Sequence, residues 1–235
     1  MTSQQSPPPA KNVLLIMAHP DDAELSSAGT VATLIEQGYQ VRYVVCSTGD
    51  KGTKDNTMTP FRLAEMREQE QKDAAGVLGV HQIVFLRHPD GELEQSASLR
   101  TEIAILIRRY RPEIIVTHDP WRPYQIHPDH RTVGFATADA VVSARDHLFL
   151  PVLLELELLP YSPREIYFTF PPVPDHVVDI TALMERKLEA VGKHKSQLQH
   201  MPQWRENIKL MASKLAEGKP FAYAESFKRL VLTYQ

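Results

Sequence analysis

The chain has a single cysteine, Cys46, among 235 residues. That excludes a disulfide framework and a cysteine-built zinc site, and it fits a reducing compartment. A basic excess is missing as well: 26 Lys and Arg stand against 29 Asp and Glu, a formal net charge of −3. Nucleic-acid modules and binders of anionic membranes carry the opposite balance, so neither partner is expected. Met1 to Asn12 contain no hydrophobic leader segment, and the apolar run Val13–Ala18 is far shorter than the roughly 20 residues that span a bilayer. The sequence reads as that of a soluble, cytoplasmic protein, long enough for one sizeable core. Glycine is scarce at 10 residues, whereas proline reaches 18.

Residues 1–11 are polar and proline-rich, the composition of a disordered arm; residues 12–235 read as one domain. Apolar runs at Val13–Ala18, Gln40–Ser47, Ile83–Leu86 and Glu113–Thr117 predict strands. They alternate with helical spacing at Ser26–Gln37, Thr59–Leu78, Ser98–Tyr110 and Arg131–His147. In the second of these helices Thr59 is the expected N-cap, Pro60 opens the first turn and Gly79 closes the helix. Such alternation implies an α/β fold with a mostly parallel sheet. The regularity weakens after Leu148. Strands at Glu165–Phe170 and His176–Ile180, and helices at Thr181–Gly192 and Gln203–Ala216, make a C-terminal elaboration.

The prolines fall on a pattern. His19-Pro20-Asp21, His88-Pro89-Asp90 and His127-Pro128-Asp129 repeat one tripeptide, of which random order in this composition predicts far fewer than one copy. Proline forces the preceding histidine into extended backbone and starts a turn, so imidazole and carboxylate are held in a preset geometry. Two triplets follow predicted strand ends and the third lies in the loop after the fourth strand. In open α/β sheets, ligands bind beyond the carboxyl ends of the strands. The first triplet extends to Asp22 and the third to His130. In a doubly wound sheet the first and fourth strands are neighbours, so these two segments converge at the switch point. Together they offer His, Asp and His, the donors of a catalytic metal with an open position. A lone strand-end histidine ordinarily stabilises a loop; two converging clusters with carboxylates favour a metal.

Met17-Ala18-His19-Pro20-Asp21-Asp22-Ala23-Glu24-Leu25, joined to His127-Pro128-Asp129-His130, resembles the PIG-L/LmbE family of zinc-dependent N-deacetylases. The likeness includes Ser47-Thr48-Gly49-Asp50-Lys51-Gly52, the spacing Arg67…Glu70…Ala74…Leu78-Gly79-Val80, Pro89-Asp90-Gly91-Glu92-Leu93 and Ala224-Glu225-Ser226-Phe227. It implies a Rossmann-like three-layer sandwich and removal of an N-acetyl group from an amino sugar, a sugar conjugate or a related small molecule. Carried over by motif position, it implies His19, Asp22 and His130 as ligands of one Zn2+ per chain. Asp21 is then the general base, and His127 stabilises the oxyanion with Asp129 tuning it. Arg67 and Asp90 are expected near the substrate, and the family often forms closed homo-oligomers. Ser26-Ser27-Ala28-Gly29 and Asp50 depart from common family residues, which bears on substrate choice.

Amide hydrolysis at neutral pH needs a strong nucleophile, a proton acceptor and charge stabilisation. A three-ligand zinc lowers the pKa of bound water to roughly 7 and polarises the carbonyl. The adjacent aspartates should divide the work: a turn over His19…Asp22 returns Asp22 toward His19 and leaves Asp21 for proton transfer. Asp21 as a mere helix cap or turn residue is the bland alternative. Two histidines and a carboxylate also form the iron(II) oxygenase triad, so Fe2+ or another divalent ion is the alternative metal. Trp121 and Arg122, just before the third motif, either face a sugar or anchor their loop. His118 and Asp119 are expected beside the site, and His88 at its rim or on the substrate. His194 and Gln197 read as a solvated helix end more readily than as a cover. Cys46 is expected buried in its strand. Rival classes are a metal-dependent phosphoesterase, which usually wants two metals, and a non-catalytic sugar-binding protein. A dinucleotide binder is excluded, because no Gly-x-Gly-x-x-Gly follows the first strand.

Overall fold

A computed structural model describes residues 11–233, so the expected arm, apart from Lys11, lies outside the described residues. Parallel strands β1 (Asn12–Met17), β2 (Gln40–Ser47), β3 (Gln82–His88), β4 (Ile114–His118) and β5 (Glu165–Thr169) are extended by β7 (Ala224–Val231), antiparallel to β5, and by β6 (His176–Asp179), antiparallel to β7. Their order is β3-β2-β1-β4-β5-β7-β6, so the sheet changes direction between β1 and β4. The crossovers carry α1 (Asp22–Glu36), α2 (Pro60–Leu78), α3 (Ala97–Tyr110) and α4 (Pro128–Arg145). After them come α5 (Val152–Glu155), α6 (Met184–Val191), α7 (Lys195–Leu198) and α8 (Trp204–Leu215).

Side-chain alternation along β1 builds both halves of the core. Val13, Leu15 and Met17 join α1, α2 and α6, whereas Leu14, Ile16 and Ala18 join α3 and α4. A strand covered on both faces carries a continuous apolar run, which is how β1 reads in the sequence. The result is the expected three-layer α/β sandwich. In α2 the Thr59 hydroxyl accepts the Arg62 N–H at 3.3 Å, and Gly79, at φ 89°, supplies the left-handed cap.

Two helices begin earlier than their spacing predicts. α1 starts at Asp22 rather than Ser26, and α4 at Pro128 rather than Arg131. The cause is the triplet itself: Asp21 caps α1, and His127 caps α4 with Pro128 in its first turn. β7 is a strand that the sequence reading lacks. Its Glu225, Lys228 and Arg229 give it poor strand propensity, and pairing with β5 and β6 on its two sides overrides that.

The elaboration grips α1 over the first two turns beyond Asp22. Buried Lys187 of α6 and Glu225 of β7 pair at 2.7 Å. The Glu225 carboxylate accepts the Gly29 and Thr30 N–H groups at 3.0 and 2.7 Å, and Lys187 donates to the Leu25 carbonyl at 2.9 Å. A Cβ on Gly29 would stand 2.4 Å from Ile180 Cγ2, so this close approach needs glycine.

Candidate active site

The turn after β1 folds back as its spacing predicts. The His19 N–H donates to Asp22 Oδ2 at 2.8 Å, bringing the fourth residue onto the first. His19 Nδ1 then lies 3.3 Å from Asp22 Oδ2 and 3.1 Å from His130 Nε2, and His130 Nε2 lies 3.3 Å from Asp22 Oδ1. Two imidazole nitrogens this close cannot both carry protons, so at least one lone pair points into the gap. Among the described residues, His19–His127–His130, Asp22–His118–His130 and His19–Asp90–Asp129 form overlapping groups that could each hold a metal. His118 Nε2 is already engaged within the protein, lying 3.1 Å from the Ala18 N–H and 3.2 Å from Asp22 Oδ2. Its ring stacks on His130 at 4.2 Å, and burial lowers its pKa and keeps it neutral. His19, Asp22 and His130 are the donors left free to converge.

The electrostatics favour a cation here. Burial works to discharge His19, but hydrogen bonds to Asp129, Asp22 and Asp90 outweigh it and raise the pKa to about 11. Burial likewise opposes ionisation of Asp22, yet His130 and His118 hold it well below the usual carboxylate range. This donor set fits a divalent ion bound by two neutral imidazoles and one carboxylate.

Asp21 meets the opposite environment. Burial pushes its pKa up to about 6; Arg67 pulls against the shift and Asp22 adds to it. Its backbone is left-handed, at φ 105°, a conformation that costs a non-glycine residue about 1–3 kcal/mol. A buried network enforces it. The Asp21 N–H donates to Gln71 Oε1 at 3.0 Å, and Gln71 Nε2 donates to both Glu24 oxygens at 3.0 Å. His194 Nε2 meets Glu24 Oε2 at 3.0 Å. Arg67 Nη2 lies 3.3 Å from Asp21 Oδ2 and donates to the Pro20 carbonyl at 2.5 Å, while Nη1 donates to the Gly49 carbonyl at 2.9 Å. The Arg67 Nε is buried without a partner, so the group stands beside the site with one donor in reserve.

Asp129 does raise the pKa of His127, as expected of a tuning group, but its hydrogen bonds go elsewhere. Asp129 Oδ2 holds His19 Nε2 at 3.2 Å, and its carboxylate accepts the Gly91 and Leu93 N–H groups. The turn after β3 thus aims Asp129 at His19. Asp90 also faces His19 Nε2, at 3.1 Å, and is the carboxylate nearest His127, at 3.9 Å. Burial lowers the pKa of His127, and His19 adds to that against Asp129 and Asp90. A neutral ring still offers one N–H, and its Nδ1 is buried without a partner.

Trp121 is 60% exposed, with its ring edge-on to Phe135 and Phe168 at 5.6 and 5.5 Å. Arg122 lies over the Phe170 ring and lines a cavity that reaches Asp22 and His130. Asp119 accepts the Trp121 N–H at 3.0 Å. His88 turns away from the site to pair with Glu102 at 2.7 Å. His194 is no solvated helix end: it is 1% exposed, and Glu24 raises its pKa against burial. Gln197 donates to the Gly52 carbonyl at 3.0 Å, and Ser196 binds Glu70 through its N–H and hydroxyl, so this segment does cover the site from behind. Cys46 is fully buried, as expected. Gln71 and the α8 side chains along the cavity escaped the sequence reading, since no motif marks them.

The family described as PIG-L, GlcNAc-PI de-N-acetylase, matches residues 14–141. The chain is 36% identical over 220 residues to the diacetylchitobiose deacetylase of Thermococcus kodakarensis, spanning 93% of this chain and 82% of that one. It is 29% identical over 196 residues to a probable N-acetyl-alpha-D-glucosaminyl L-malate deacetylase 2 of Bacillus cereus, spanning 81% and 86%. The solved structure of N,N'-diacetylchitobiose deacetylase from Pyrococcus horikoshii, complexed with its inhibitor MPG, superposes with a TM-score of 0.91. It is 34% identical and covers 95% of this chain and 85% of that one.

Proposed function

The chain belongs to the PIG-L family, and from that premise we propose a zinc-dependent N-deacetylase acting on N-acetylated amino sugars or their conjugates. The observation that carries the reading is the convergence of His19 Nδ1, the Asp22 carboxylate and His130 Nε2 beside an aspartate whose pKa is raised to about 6. His19, Asp22 and His130 would hold one Zn2+ per chain. The ion supplies Lewis-acid polarisation of the amide carbonyl and lowers the pKa of water. Asp21 takes the proton of the attacking water and returns one to the leaving amine. His127 donates its N–H to the oxyanion, and Asp90 and Asp129 keep His19 in the tautomer that turns Nδ1 to the ion. Arg67, which pairs with Asp21, and Asp90 stand on the side assigned to the sugar. The bond broken is the amide C–N, and the products are acetate and the free amino sugar.

Names of the relatives support an N-acetylglucosamine unit as the substrate core. No described helix is long and apolar enough to cross a membrane, and we place the enzyme in the cytoplasm as a single domain over residues 12–235. Leu148, Phe149, Val152, Leu156 and Leu159 are exposed on the segment after α4 and support assembly into a homo-oligomer. The test is acetate release across a panel of N-acetylated sugars, with and without added zinc. Zinc-dependent release is expected; phosphate release from sugar phosphates with no acetate release would favour the phosphoesterase.

A further inference from the structure

A cavity of about 380 Å³ opens beside the convergent trio. Asp22, His118 and His130 line it together with the partly exposed Leu25, Phe170, Met211 and Leu215 and the polar Arg122 and Gln125. Lys187 and Glu225 also reach it, but they are bound to each other and to the α1 backbone. Neither Asp21, Asp90 nor His127 lines it. Asp22 and His130 therefore stand between two environments, charged and polar on the side of Asp21 and, on the side of α8, a cavity whose walls are mainly apolar with Arg122 and Gln125 among them.

That division has a consequence for how an amide must lie. The leaving nitrogen has to face Asp21, which protonates it, and the sugar hydroxyls suit Arg67 and Asp90. The carbonyl carbon's remaining substituent, the acyl chain, then projects away from Asp21 toward α8. A methyl group would leave most of the cavity unfilled. A cavity of only about 150 Å³ takes up benzene, with its six carbons, and ligand pockets begin near 300 Å³. We propose that this cavity binds the acyl chain and that the enzyme hydrolyses N-acyl amino sugars with chains of about six carbons, a deacylase activity beyond removal of acetyl. The proposal rests on the deacetylase reading above. Its reaction is the same hydrolysis: the C–N bond breaks, a C–O bond forms to water, a proton passes to nitrogen, and hexanoate leaves in place of acetate.

The experiment compares N-acetyl- and N-hexanoylglucosamine as substrates, and acetate and hexanoate as ligands by titration calorimetry. Wild type is set against Leu215→Trp and Met211→Trp; both positions are partly exposed, and circular dichroism checks that the variants fold. Each methylene buried is worth about fourfold in affinity, so hexanoate should bind at least tenfold tighter than acetate. The hexanoyl substrate should match or exceed acetyl in kcat/KM. In either tryptophan variant both hexanoyl-to-acetyl ratios should fall at least tenfold. Hydrolysis of acetyl with hexanoyl turnover a hundredfold lower would overturn the proposal and leave the deacetylase intact. Hydrolysis of neither would overturn both.

Discussion

Asp21 and Asp22, adjacent in sequence, meet opposite fields: two imidazoles hold Asp22 ionised, whereas burial raises Asp21 to about 6. Asp21→Asn should keep its zinc and its fold and lose at least about 10²-fold in kcat, the low end for removing a general base. Asp22→Asn should weaken zinc affinity, with some activity recovered in excess metal. Bound zinc and single-turnover rate measured on both variants decide, and zinc lost from the Asp21 variant alone would swap the assignments. A base must be deprotonated to act, so kcat/KM should fall as pH drops, with an acid limb no higher than about 6, because a bound cation can only lower Asp21 further. His127 is neutral at pH 7, its pKa lowered chiefly by burial. His127→Ala should therefore lose about 10²–10³-fold in kcat, the scale of one oxyanion donor, while its basic limb stays in place; a pH–rate profile that loses that limb would show that His127 acts in its protonated form. The trio was legible because each member sits in a short motif at a strand end or helix start. The partner of Asp129 was not, because its aim depends on Gly91 and Leu93, which a distant turn brings to it.

Elements were legible where both faces of a strand are buried or where caps are spelled out, as in β1 and α2. They were illegible where tertiary contacts override local preference. β7 is a strand by virtue of its two neighbours, and the polar Lys193-His194-Lys195-Ser196-Gln197 is buried because α1 and α2 present Glu24 and Glu70 to it. His194 is the testable case. Its pKa in the fold is raised above the ordinary value because Glu24 outweighs burial. The ion pair's contribution is thus complete below about pH 6.5, the unfolded value, and is lost as pH rises through the folded value. Urea denaturation between pH 6 and 9 should show stability declining across that range in wild type and a flatter profile in His194→Gln. His194→Ala, which leaves Glu24 buried without its cation, should cost about 3–5 kcal/mol. Equal pH dependence in wild type and His194→Gln would mean that the pair carries no linked proton.

Over the whole molecule, His130 lies over a hundred residues from His19 and Asp22 in sequence, and they meet only where β1 and β4 deliver their loops to one end of the sheet. An unfolded chain offers no such site, so binding of the proposed zinc would be linked to folding. At a hundredfold excess over its Kd a ligand stabilises by about 2.7 kcal/mol. For a chain of this length each kcal/mol moves Tm by about 2–4 °C, so zinc should raise Tm by about 5–11 °C. The ion must also displace the proton that Asp129, Asp22 and Asp90 hold on His19, whose pKa they raise to about 11 against burial. Zinc and protons compete for one nitrogen, and the zinc-induced rise in Tm should grow between pH 6 and 8. Elemental analysis of protein purified without chelator should find about one divalent ion per chain, and His130→Ala should lose both the ion and the Tm response. Protein with no metal, no rise in Tm and no zinc-restored activity would remove the metal, and with it the hydrolase, from this site.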